Sequence, residues 1–193
     1  MVLYYMINRK KRLFLTITAV VIAIFLNGIF SYINDSLGLP IFMDSIFTIL
    51  TAALFGLWPS VAVGIFTNPF IELLNGSPGI YVPFIPVSIF TAMITSFFVY
   101  KKLFETPTHA FWLIIILVLV NSLTGALIVS FFFGGFTNLS MDNIVRGIVV
   151  AGHSIFTSAF IVRLIANLAD KGPAVIMSYF IYKAIQKKAI KQV

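Results

Sequence analysis

Asp44 and Glu72 are the only acids between Ile41 and Val99, a stretch otherwise suited to a bilayer interior. A carboxylate left facing lipid costs several kcal/mol, so intramembrane acids normally meet a partner or a wet cavity. Gly64, Asn68 and Glu72 recur at i, i+4 and i+8 and therefore share one helical face. Pro69 leaves a backbone carbonyl without its helical donor near that face. Asn121, with Thr124 and Gly125 one turn on, offers similar groups from a later segment. Tyr81, closing the loop NGSPGIY, and His153 complete the candidate substrate-binding set of Asp44, Asn68, Glu72, Tyr81, Asn121 and His153. Amides, carboxylates and a phenol in a dry pocket would orient a small molecule by hydrogen bonds and charge.

Each residue also has a simpler role open to it. Asn121 suits interhelical hydrogen bonding, and Asp44 suits the positive end of its own helix. Glu72 can be solvated near an interface, Arg146 and Arg163 can snorkel, and a lone histidine can simply be packed.

Enzymatic readings find no support. There is no HExxH, no paired-glutamate protease motif, no GxSxG and no Walker A. His109 and His153 lie on opposite sides of one apolar run, and there is no cysteine. The expectation is a non-enzyme with no catalytic residues, no metal site and no cofactor.

The elements that must position these residues follow from composition. Of 193 residues 60% are hydrophobic and 10% charged, and the mean hydropathy is +1.06. That points to one polytopic membrane domain, residues 1–193, in contact with lipid. The net charge of +7 does not indicate nucleic acid. Arg9, Lys10, Lys11 and Arg12 precede the first apolar run, Lys101 and Lys102 end another, and Lys183, Lys187, Lys188 and Lys191 lie at the end. This is the positive-inside pattern. The charge-free run 13–34 is too long for a signal-peptide core and is expected to be retained.

Breakers divide the chain into spans of about 13–33, 40–56, 60–74, 83–100 and one starting near Ala110, with Gly134–Gly135 at its exit. Pro40 is expected to open the second span. Residues 143–169 and 173–186 are both apolar, giving seven candidate segments. Seven crossings would put the C-terminal lysines outside, so one segment should not cross. Length and charge leave open which one.

Span one carries AVVIA, residues 19–23. Ala19 and Ala23 form a small-xxx-small pair, extended by Thr16 and Asn27, of the kind that lets another helix approach closely. Packing inside the chain and docking of a partner both fit it.

PIFMDSIFTILTAALFGLWPSVAVGIFTNPFIELLNG, residues 40–76, resembles the second and third helices of S components of energy-coupling factor (ECF) transporters. The matching features are Asp44, Phe55-Gly56, Pro59, Gly64 and Asn68. AVVIA is similar to the motif by which the first helix of S components docks on the T component, and DKGPAVIMSYFIYKAI resembles their last helix. The resemblance implies an all-α membrane protein, a six-transmembrane-helix bundle with both termini cytoplasmic. Residues 170–187 would be the last span and 141–168 an external excursion; in the rival arrangement 143–169 crosses and 173–190 lies on the cytoplasmic face. It further implies a high-affinity receptor for a vitamin or related micronutrient in a prokaryotic cell membrane. Its partners would be a T component, contacted through Ala19 and Ala23, and two cytoplasmic ATP-binding subunits. Other readings are a transmembrane sensor or interaction module and a small stand-alone carrier.

Overall fold

A computed structural model describes residues 8–137 and 140–190. Lys191 lies outside them. Helices dominate, and no strand occurs among the described residues. In chain order they are α1 (Arg9–Ser36), α2 (Ile46–Phe55), α3 (Leu57–Asn75), α4 (Ile85–Tyr100), α5 (Pro107–Phe132), α6 (Asp142–Val150) and α7 (Ile155–Ile190). Single 3-10 turns, Val82–Phe84 and Leu103–Glu105, precede α4 and α5.

Local chemistry sets the helix ends. Asn8 caps α1 by accepting from Lys10 N at 3.1 Å. Thr106 caps α5, with Pro107 in the first turn where its missing N–H has no helical partner anyway. Gly56 alone separates α2 from α3, and its φ of +89° is accessible to glycine and strained for other residues. The cap of α2 comes from another helix. Asn27 of α1 accepts from Phe47 N and donates to Thr48 Oγ1, each at 3.0 Å.

The bundle is arranged with polar groups inside and apolar groups outside. Asn27, Thr48, Ser60, Thr67, Asn68, Thr91, Thr95, Asn121, Ser122, Asn167 and Ser178 are buried. Phe14, Ile22, Phe66, Phe97, Phe131, Ile165 and Phe180 are exposed. In water this would be an aggregation hazard; in lipid it leaves apolar side chains to the solvent and lets polar ones pair within the protein. Among the described residues, four helical stretches are long and apolar enough to cross a membrane: Arg9–Ser36, Leu57–Asn75, Val82–Tyr100 and Pro107–Phe132. Of the remaining two large segments, α2 is apolar but has 10 residues, and α7 has 36 but carries Arg163, Asp170 and Lys171.

The two ends of the bundle differ. At one end Tyr81 hydroxyl donates to Asp35 and Ser140 Oγ donates to Leu39 O, gathering the connections after α1, α3 and α5. At the other, Phe104 is fully buried against Tyr179 and Tyr182, and the Tyr179 hydroxyl donates to Glu105 O. The main apolar core, with Ile49, Leu113, Leu117 and Val175, belongs to this second half.

Two expected boundaries move. Pro40 does not open a helix: Asn34 Nδ2 donates to the carbonyls of Leu39 and Ile41, holding this stretch in a turn until Ser45. Asp44 therefore lies before α2, not inside it. The last helix does not begin at 170. It starts at Ile155 after the turn 151–154 and runs through Asp170, Lys171, Gly172 and Pro173. These charges do not end the helix because their partners are inside the bundle. Neither arrangement expected for 141–190 is seen as drawn. Only α6 remains a separate short helix, and residues 155–168 belong to the long one.

Candidate functional site

The segment Ile41–Ser45 is the pivot of the site. Its backbone is held from α7, where Asp170 Oδ1 accepts from Met43 N at 2.8 Å. Met43 has a φ of +54°, a conformation unusual for a side-chain-bearing residue and maintained here by that hydrogen bond. Lys171 reaches the same segment. Its Nζ donates to Ser45 Oγ at 2.7 Å and to Asp44 Oδ1 at 3.4 Å, and also pairs with Asp170 Oδ2. One buried ammonium is thus matched by two carboxylates.

Beside this cluster is a cavity with about 680 Å³ of empty space, open solvent at its mouth included. Asp44, Asn68, Tyr81 and Asn121 all line it, so four of the six expected binding residues converge. Asn68 donates through Nδ2 to Ser88 Oγ at 2.9 Å, joining α3 to α4. Asn121 donates through Nδ2 to Thr91 Oγ1 at 2.8 Å, joining α4 to α5. The interhelical role and the pocket role thus coincide, with the amide nitrogen spent on packing. The amide oxygen of Asn121 is buried without a hydrogen-bond partner.

Tyr81 is fixed at the cavity wall by two neighbours. Its hydroxyl donates to Asp35 Oδ2 at 2.7 Å, and Asn75 Nδ2 donates to the same oxygen at 3.0 Å. Burial, and then the Asp35 carboxylate, push the tyrosine hydroxyl above its ordinary range, so it serves as a neutral donor.

Glu72 and His153 are not among the residues lining the cavity. Glu72 accepts from Tyr81 N at 2.8 Å and Val82 N at 2.7 Å through one oxygen, so it shapes the loop that carries Tyr81. His153 is exposed in the turn between α6 and α7. Of the AVVIA pair, Ala23 is 4% exposed and Ala19 half-buried, on the side of α1 that packs on α2 and α3.

Arg163, Asn167 and Lys171 of α7 also line the cavity, at i, i+4 and i+8. The periodicity is visible in the sequence. Breaking the chain near 170, as the charges and Gly-Pro invite, hides it. Asn167 Nδ2 donates to Ser122 Oγ at 3.1 Å and to the carbonyl of Arg163. The Arg163 guanidinium lies 4.9 Å from the Phe84 ring centre and 5.7 Å from that of Phe42.

No family model, no curated protein and no solved structure matches the chain.

Proposed function

We propose that the protein is a membrane-embedded receptor that captures a small molecule, acting as an S-component-like subunit of an ECF-type importer. The observation that carries this reading is the pocket itself. A cavity bordered by two cationic side chains, two carboxylates and three asparagines sits within a bundle whose outer surface is apolar. Interiors of such bundles are usually close-packed, and retaining polar groups around open space is costly unless something occupies it. The distribution of lysines and arginines supports six crossings with both termini cytoplasmic: α1, α2, α3, α4, α5 and α7, with α6 on the outer side beside the mouth. In that arrangement the pocket faces outward.

The remaining steps of the reading concern partners and place. A T component and two cytoplasmic ATP-binding subunits would supply energy in a prokaryotic cell membrane, and the ligand would be a vitamin or related micronutrient. Since Ala23 is packed within the chain, Ala19 is the position of the pair left for a partner. Co-expression with such subunits and co-purification tests the assembly, and Ala19→Trp should abolish it while leaving small-molecule binding by the isolated protein near normal. Ligand uptake by the chain alone would replace this reading with that of a stand-alone carrier. Absence of both uptake and ATP-binding partners would favour the sensor.

A further inference from the structure

Among the described residues, the Arg163 side chain makes no hydrogen bond and no ion pair, although the residue is only 6% exposed. Its guanidinium lies against two phenylalanine faces, and Asp142 attracts it through space while accepting from Thr137 Oγ1 at 3.2 Å. An aromatic face attracts a guanidinium but satisfies none of its five N–H donors. Gly125 makes room for it: a Cβ there would stand 3.2 Å from Arg163 Cδ and 3.3 Å from Nη1. The guanidinium is therefore laid across α5, at the cavity wall, with its donors unspent.

We propose that Arg163 is the subsite for the carboxylate of a small organic monoanion. This rests on the receptor reading and names the class of molecule received. A planar fork of N–H donors matches a carboxylate in two parallel hydrogen bonds. Charge decides between a monoanion and a dianion such as phosphate. Lys171 is already matched by Asp44 and Asp170, Asp35 also lines the cavity, and Asp142 attracts Arg163 through space, so acids outnumber cations here and Arg163 is the cation lining the cavity with donors unspent. A second negative charge would have no counterion.

Asn121 adds a second requirement. It lies one helical turn from Gly125, about 6 Å along α5, and its buried Oδ1 lacks a donor. The same molecule should carry a hydroxyl or N–H at roughly that distance from its carboxylate.

The test uses full-length protein in lipid nanodiscs and four probes: 4-hydroxybenzoate, 6-hydroxyhexanoate and the carboxamide of each. Phenyl phosphate serves as the dianion. The acids should bind at least about tenfold more tightly than their amides by calorimetry. Arg163→Gln should erase that gap, and Arg163→Lys should restore part of it. If the glutamine variant does not fold, the acid–amide gap in the unmodified protein still decides. Equal affinity for acids and amides, or preference for phenyl phosphate, overturns the carboxylate subsite and leaves the receptor reading standing. Binding by none of the probes also overturns it, and co-purification of ATP-binding partners then shows whether the receptor reading falls too.

Discussion

Lys171 and Arg163 are two buried cations on one face of one helix, two turns apart, and their surroundings are opposite. Lys171 is 2% exposed and holds two carboxylates and a serine hydroxyl. Arg163 is 6% exposed and touches two aromatic rings. The effective penalty for burying an ion is several kcal/mol, and only paired geometry offsets it. The lysine therefore reads as a fastener: it ties α7 to the segment before α2, and Asp170 supports Met43 beside it. The arginine fastens little. Within one helix, compensation separates a charge that maintains the fold from one that is available to a ligand.

The largest effect expected from this comparison is at the fastener. Lys171→Met leaves Asp170 buried without its counterion and should cost about 3–5 kcal/mol of unfolding free energy. Denaturant unfolding in detergent measures it. Segment 41–45 should also become protease-sensitive, because Ser45 and Asp44 lose their tie to α7. A loss below about 1 kcal/mol would mean that the cluster does not organise the segment.

Asp44 is the more exposed of the two acids, with 21% of its side chain accessible and its lysine at 3.4 Å. Partly solvated pairs contribute little, about 0–1 kcal/mol. Asp44→Asn should therefore cost about 1 kcal/mol or less, well short of Lys171→Met. An effect equal to that of Lys171→Met would make Asp44, rather than Asp170, the principal counterion.

The same electrostatics explains what the sequence made legible. Apolar runs separated by Gly56, Lys101–Lys102 and Gly134–Gly135 set α1, α3, α4 and α5 within a few residues, because hydropathy and breakers act locally. The convergence of Asp44, Asn68, Tyr81 and Asn121 was readable too, since scarce polar groups in an apolar bundle seek one another. What escaped depends on side-chain partners that hydropathy and breakers do not reveal, one of them nearby and the others far along the chain. Pro40 looks like a helix start until Asn34 is seen holding the turn. Asp170-Lys171-Gly172-Pro173 looks like a helix start until residues 127 and 126 positions earlier are seen to supply the acid and the hydroxyl. Losing that one helix lost Arg163, Asn167 and Lys171 from the site.

The smallest stability effect should be at Arg163, and its contrast with Lys171 is the sharpest test of the comparison. Arg163→Met removes a desolvated charge, keeps an unbranched apolar side chain against Phe42 and Phe84, and strands no close carboxylate. The losses are the attraction to two ring faces, about 0.5–2 kcal/mol for partly desolvated pairs, and the through-space attraction of Asp142. The gain is relief of the burial penalty on an ion with no carboxylate in direct contact. These oppose one another, so the variant should unfold within about 1 kcal/mol of the unmodified protein. The same denaturant series used for Lys171→Met measures the difference between the two sites directly. If Arg163→Met falls as far as Lys171→Met, the arginine is a second fastener whose partners are the rings and Asp142. If it stays level while acid binding disappears, the charge at Arg163 serves the ligand and not the fold.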